Sequence, residues 1–292
     1  MTDHRSLAAE RVKYIIAVVL YGTIGLFLRQ VALPSEAVAM CRGIIGSLFI
    51  LCFLLARGQR PDRAAIRRNL GLLLASGVLL GLNWIFLFAA YIRTTVAIAS
   101  LCNYMAPILV IIAAPLLLRE KLVRRKLPCV AAALLGIVLV SGVLSGGGGE
   151  TAGVALGLAA ALCFTGIVIC NRKLQGISAY DRSVVQLAVS AVTILPYVLL
   201  RSRGAAITVD LRSVLIVAML GVLHTGVAYC LYFSGMANLP VQTVAILGYL
   251  EPVVSVLCSA VFLREPMSLL GWLGAGLVLA AAAVSESRFM SS

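Results

Sequence analysis

The chain has 292 residues, of which 62% are hydrophobic and 12% charged, with a mean hydropathy of +1.06 and a formal net charge of +13. Soluble domains carry roughly 25% charged residues, so this composition excludes an ordinary soluble protein and points to one embedded in lipid. The basic residues lie in clusters between apolar runs, the pattern of loops facing anionic lipid and not of a nucleic-acid surface.

A spanning helix needs about 20 apolar residues, and the sequence predicts ten of them. They run over about 12–31, 35–56, 70–92, 95–118, 126–145, 153–171, 183–200, 213–235, 240–263 and 267–286. The runs are unbroken, unlike the alternating strands of a β-barrel. The first, from about Tyr14 to Val31, is longer than a signal-peptide core and has no small-x-small cleavage site behind it, so it reads as a membrane helix. The eight cysteines all fall within apolar runs without a C-x-x-C pair. They read as small buried hydrophobes, with no disulfide and no metal site expected.

Polar residues inside the spans are costly and mark candidate function. In the second span, Arg42 must pair or reach water; a place within about two turns of the outer end suits a structural ion pair or an outer gate. The third span offers Asn83 and Trp84, with Phe88 and Tyr91 following Trp84 at helical spacing. Trp84 suits an aromatic cavity wall facing a ligand cation. The fourth span has Asn103 and Tyr104 before Pro107. Between the fifth and sixth spans, Gly146 to Gly149 read as a flexible linker, since the lysine and hydroxyl residue of a phosphate loop are lacking. In the eighth span, His224 is either a proton relay with Glu251 or a neutral imidazole bonded to a carbonyl; the two are equally compatible with the sequence.

The ninth span carries the most expensive residue. Glu251 precedes Pro252 far from either end of the run, where a charge costs about 2.5–3.5 kcal/mol on insertion scales. Pro252 lacks an N–H and frees the carbonyl of Gly248, as Pro107 frees that of Asn103. Such carbonyls persist in lipid only where protein or a wet cavity satisfies them. A cavity wall that binds a proton, cation or amine explains the placement; so does a kinked helix with a protonated, hydrogen-bonded glutamate. Tyr104 and Tyr249, beside the two prolines, suit either cavity walls or interhelical hydrogen bonds. Glu120 and Glu265 close their helices beside Arg119 and Arg264 and read as gate or terminus elements.

Seventeen Lys and Arg residues fall in alternate loops beginning with the N-terminal one, and six in the others. This bias predicts both termini in the cytoplasm, although it arises almost wholly in the first half. Shifting the chain by 145 residues superposes Tyr104 on Tyr249, Pro107 on Pro252, and Leu118, Arg119 and Glu120 on Leu263, Arg264 and Glu265, without a gap. Five spans per copy is an odd number, so the copies must run in opposite directions through the membrane. Inverted repeats of this kind place a substrate site near the midplane of secondary transporters.

The segments PILVIIAAPLLLRE (107–120) and PVVSVLCSAVFLRE (252–265) resemble the drug/metabolite transporter superfamily, in its ten-helix EamA-type branch. The resemblance covers essentially the whole chain. It implies an all-α integral membrane fold of ten transmembrane helices in two inverted five-helix repeats around a central cavity. Residues 1–145 would form the first repeat, 146–152 the linker and 153–292 the second. The cavity would be lined mainly by spans 1, 3, 4, 6, 8 and 9. Family members move small metabolites, often exporting amino acids or amines, while others carry nucleotide sugars.

The reading that follows is a secondary transporter of the inner or plasma membrane, exporting a small polar metabolite by alternating access with optional proton coupling. Its expected substrate-binding residues are Glu251, Trp84, Asn83, Asn103, Tyr104, Tyr249 and His224, with Pro107 and Pro252 breaking helices at the cavity. Arg42, Glu120 and Glu265 would be gate or structural residues. A carrier of larger anionic solutes such as nucleotide sugars, or a uniporter without proton coupling, are the alternatives. No cofactor, metal, nucleic acid or enzymatic constellation enters the reading. Its partners are a small-molecule substrate, the lipid bilayer and, where transport is coupled, protons, and it accommodates either a monomer or a homodimer.

Overall fold

The structure is a computed structural model and describes residues 4–117, 127–140, 150–201, 210–239 and 241–285. Among these, all regular structure is helical. Among the described residues seven helices are long and apolar enough to cross a membrane, and three shorter apolar ones accompany them at Leu127–Val140, Leu250–Phe262 and Leu269–Ala281.

In chain order the helices are α1 (His4–Leu28), α2 (Ser35–Ala56), α3 (Arg63–Arg68), α4 (Leu70–Arg93), α5 (Val96–Asn103), α6 (Ala106–Leu117), α7 (Leu127–Val140), α8 (Glu150–Lys173) and α9 (Ala179–Arg201). They continue as α10 (Leu211–Gly221), α11 (Ala228–Asn238), α12 (Val241–Gly248), α13 (Leu250–Leu257) and α14 (Leu269–Ser285). A π-helical turn, Val222–Val227, joins α10 to α11, and a second, Cys258–Phe262, extends α13. Residues 141–149, with most of the expected linker, and Glu120 lie outside the described residues; residues 150–152 of that linker are already helical in α8.

The ends of the helices follow local chemistry. After α2, Gly58 adopts φ +69°, which glycine takes without a steric penalty. Its N–H reaches Leu55 O and that of Gln59 reaches Leu54 O, closing the orphan carbonyls of the last turn. Asp62 caps α3 by accepting from the amides of Ala64 and Ala65. Thr95 caps α5 through its hydroxyl oxygen, which accepts from Ile98 N at 3.1 Å. Two pairs of described element ends, Arg93 with Asn238 and Asn103 with Gly248, are each 145 residues apart.

Helix α4 packs against α8 and α9, α2 against α9, α1 against α11 and α13, and α7 against α14. Large apolar side chains stay exposed on the outer faces, among them Val192, Leu199, Leu211, Leu215, Leu269 and Leu273. In water such a band would drive association, whereas in lipid it is the natural surface. Close helix approach is carried by small residues. In the α7–α14 contact a Cβ on Gly274 would stand 2.6 Å from Gly136 O, and one on Gly136 would stand 2.8 Å from Gly274 O. The α3–α4 junction is tied to the loop between α8 and α9, where Asn69 and Gln175 exchange two hydrogen bonds of 2.9 and 3.0 Å. These ties define one end of the bundle, called here the α3 end.

Candidate functional site

Two membrane helices are each split in the middle. Pro107 stands in the first turn of α6 and Pro252 in the first turn of α13, where a missing N–H is harmless. The chain therefore ends one helix, turns at Tyr104–Met105 or at Tyr249, and starts another. Each proline leaves a carbonyl of the preceding helix without its usual donor. For Gly248 the donor comes from the other broken helix: Tyr104 Oη lies 3.1 Å from Gly248 O. The same oxygen lies 2.9 Å from Glu251 Oε2.

That phenol has one hydrogen, and a backbone carbonyl can only accept. Each contact has a hydrogen of its own only when Glu251 is protonated, donating to Tyr104 Oη while Tyr104 donates to Gly248 O. When Glu251 is ionised, one hydrogen faces two acceptors, and the charge-assisted bond to the carboxylate is the stronger. Gly248 O then keeps at most a weak share of that hydrogen. Proton occupancy at one carboxylate thus decides whether the two broken helices are fully hydrogen-bonded to each other.

This junction forms part of the wall of a cavity of about 530 Å³. Asn83, buried in α4, holds a neighbouring part of the wall: its amide donates to Asn103 Oδ1 at 3.0 Å and to Ala160 O at 2.8 Å, tying α4 to α5 and α8. Next to it, the Trp84 ring carries the guanidinium of Arg42 at 4.7 Å from its centroid, with Phe88 at 5.6 Å. Arg42 Nε donates to Thr225 Oγ1 at 3.2 Å. Tyr21, Tyr229 and Tyr232 supply further aromatic wall and meet in tilted and edge-on pairs at 5.9 Å. Toward the α3 end the lining reaches Asn171 in the last turn of α8 and Arg182 in the first turn of α9.

The opposite end is closed by a clamp on Glu265. Its Oε1 pairs with Arg29 Nη2 at 2.7 Å, and its Oε2 accepts from Val96 N at 2.7 Å and from Ser259 Oγ at 2.6 Å. Arg29 Nη2 also donates to Thr94 O at 2.8 Å. A carboxylate at the first amide of α5 is favoured by the helix dipole. It is turned there by Arg264, which takes φ +52°, a left-handed conformation costing a non-glycine residue about 1–2 kcal/mol. Between clamp and cavity, hydroxyls of Tyr91, Ser100 and Ser255 form a chain with spacings of 3.2 and 2.6 Å. Helix α1 closes over them through Gly22 and Gly25, where a Cβ would stand 2.6 Å from Glu251 O and 2.4 Å from Val96 Cγ1.

Of the residues singled out in the sequence, Glu251, Trp84, Asn83, Asn103, Tyr104, Tyr249 and Pro107 line the same cavity, and Pro252 is buried in the first turn of α13. His224 is not among the lining residues: its Nε2 meets Thr23 Oγ1 at 3.1 Å and its ring packs edge-on against Phe27 at 5.3 Å. Arg42, read from the sequence as a structural ion pair or an outer gate, lines the cavity and takes part in neither of the ion pairs found among the described residues. Glu265 sits in the clamp, while its counterpart Glu120 lies outside the described residues.

Sequence reasoning passed over Tyr21, Arg182, Tyr229, Tyr232 and Arg29. The aromatics had a usable signal. Tyr14 and Tyr21 are seven apart, and Tyr229, Tyr232 and Phe233 follow i, i+3, i+4 spacing, each set on one helix face. Arg29 and Arg182 were counted only as loop charge.

A model described as the EamA-like transporter family matches residues 12–142 and again 151–286. An uncharacterized transporter, YxxF, of Bacillus subtilis (strain 168) is 27% identical over 284 residues, covering 95% of this chain and 89% of the relative. An uncharacterized transporter of Archaeoglobus fulgidus is 29% identical over 269 residues, covering 91% and 92%. Protein PecM of Dickeya dadantii (strain 3937) is 27% identical over 194 residues, covering 65% and 64%. A solved crystal structure shares the fold with a TM-score of 0.68 at 22% identity, over 97% of this chain and 99% of the other.

Proposed function

The chain belongs to the EamA-like transporter family, a multi-pass membrane transporter and not an enzyme, and from that premise we propose that it exports a small polar metabolite by alternating access. An amino acid or amine is the substrate class, and a proton is the coupling ion. The spans are α1, α2, α4, α5 with α6, α7, α8, α9, α10 with α11, α12 with α13, and α14, arranged as two inverted five-helix repeats of residues 1–145 and 153–292. The loop charges support cytoplasmic termini in an inner or plasma membrane. The α3 end is then cytoplasmic and the Glu265 clamp external, so the conformation is closed outward with its cavity reaching toward the cytoplasm.

The observation that carries this reading is the single phenol hydrogen of Tyr104 between Gly248 O at 3.1 Å and Glu251 Oε2 at 2.9 Å. Protonation of Glu251 completes the bonds between the broken helices and removes the charge. Deprotonation frees a carboxylate for the ammonium group of a substrate. Proton and cationic substrate therefore compete for one site, which is the logic of exchange: a proton enters as the metabolite leaves. Aromatic faces around the site would hold the body of the substrate and favour its cation.

The test is transport by purified protein in liposomes with and without a pH gradient. Glu251→Gln retains an N–H that can donate to Tyr104 Oη, so it mimics the protonated form. It is expected to abolish gradient-driven accumulation and the response of rate to pH. If the variant keeps the full rate and the full pH response, Glu251 is not the coupling site; if the wild type shows neither accumulation nor pH response, the protein is a uniporter. Arg42 and Arg182 in the cavity lining favour a second reading, carriage of anionic solutes such as nucleotide sugars, for which Arg42→Gln and not Glu251→Gln would abolish uptake.

A further inference from the structure

We propose that Arg42 is a carboxylate-binding subsite of the cavity, so that the transported solute carries a carboxylate besides the group recognised at Glu251. The proposal rests on the reading of the cavity as the transport site. Arg42 lies seven residues into α2, about 10 Å along the helix, and is 3% exposed. A guanidinium stays charged in a protein, and a charge at such burial needs hydrogen bonds and a counter-charge. Neither ion pair among the described residues includes it. Its one hydrogen bond among the described residues uses Nε, toward Thr225, and the Trp84 and Phe88 faces attract the cation without neutralising it. No acceptor among the described residues engages Nη1 or Nη2, although Arg42 lines the cavity. A fixed planar fork with unused donors, facing a cavity, is the geometry that binds a carboxylate through two parallel bonds.

The fork is held in place by an irregularity that has no other evident use. The π-helical turn Val222–Val227 lets Thr225 Oγ1 donate to Leu220 O at 3.0 Å. That orientation points its lone pair at Arg42 Nε. A Cβ on Gly46 would stand 2.4 Å from Thr225 Cγ2, so α2 and this turn lie close enough for the contact to be rigid. Thr225 is therefore a positioning residue for Arg42. Glu251 lines the same cavity without pairing with Arg42, so a solute with both charges and an aromatic body complements the wall between them.

The experiment is ligand-induced thermal stabilisation of the full chain in detergent with three probes: L-phenylalanine, phenethylamine, which lacks the carboxylate, and 3-phenylpropanoate, which lacks the amine. A folded-state ligand raises stability in proportion to its occupancy. The wild type is expected to be stabilised by L-phenylalanine and 3-phenylpropanoate. Arg42→Gln should weaken both about tenfold or more, while phenethylamine binds unchanged or tighter because a like charge has left the cavity. Thr225→Val keeps the charge and releases its orientation, so it should show the same selectivity to a smaller degree; it decides the matter if Arg42→Gln does not fold. Failure of both carboxylates to stabilise the wild type, a loss common to all three probes, or unchanged carboxylate binding in the variants would overturn the proposal. Glu251→Gln separates the two readings: if phenethylamine binds that variant normally while the carboxylates still need Arg42, the amine site is wrong and the carboxylate subsite stands.

Discussion

Replacing Glu265 should open the end of the molecule that the clamp closes, and the structure allows the size of the effect to be worked out. Three contacts meet on this carboxylate: Arg29 Nη2 at 2.7 Å, Val96 N at 2.7 Å and Ser259 Oγ at 2.6 Å. The Arg29 side chain is 35% exposed, so the ion pair is screened and contributes about 1 kcal/mol or less. The two hydrogen bonds to a charged acceptor contribute about 1.5–3 kcal/mol each, but water replaces part of them once that end opens. A net loss of about 2–4 kcal/mol for Glu265→Ala follows, or about half that for Glu265→Gln, which keeps one acceptor oxygen. At about 1.4 kcal/mol per decade, the alanine variant shifts the closed-to-open ratio by roughly thirtyfold or more. The assay is a distance distribution between spin labels at Gln30 and Leu269, both exposed, introduced as non-canonical amino acids because the chain holds eight cysteines. A longer, broader population should appear in Glu265→Ala, with a smaller one in Glu265→Gln. Distributions identical to the wild type in both variants would refute the clamp, whatever the change in melting temperature.

Further outcomes follow from the same geometry. Tyr104→Phe removes the donor to Gly248 O and the partner of Glu251; the unsatisfied carbonyl should cost about 1–3 kcal/mol, read as a lower melting temperature together with slower transport in liposomes. Gly22→Ala places a methyl 2.6 Å from Glu251 O, so it should slow transport by displacing α1 from α13; unchanged transport would mean that this contact is not part of the working cycle. Gly274→Ala forces α7 and α14 apart against a backbone oxygen at 2.6 Å, an overpacking worth about 1–3 kcal/mol. Since neither helix lines the cavity, its melting temperature should fall while the affinity for a bound solute stays within about twofold, measured by the same stabilisation assay.

Much of this molecule was legible before any coordinates. Membrane embedding follows from the summed transfer free energy of consecutive residues, a property of the local chain. The breaks at Tyr104 and Tyr249 follow from Pro107 and Pro252, since a missing N–H and a ring clash act on the same helix four residues away. The cost of Glu251 in an apolar run was equally local. All three are interactions between residues near in sequence, and composition and spacing suffice to find them.

What the tertiary structure decided is which groups from distant parts of the chain meet. That the phenol satisfying Gly248 O is Tyr104, 144 residues earlier, depends on how two broken helices cross. Arg42 faces the cavity and His224 does not, although both are polar residues inside apolar runs. The difference is the rotation of each helix about its axis, which is set by close contacts such as Gly46 against Thr225 and Gly221 against Ile45. The π-helical turn at Val222–Val227 resets that rotation partway along its span, and hydropathy is blind to it because every residue remains inside the membrane. Sequence alone therefore determined the solvent, the long apolar helices and the places where helices break; packing alone determined the direction in which each costly residue points, and with it the pairing of Tyr104 with Glu251 and of Thr225 with Arg42.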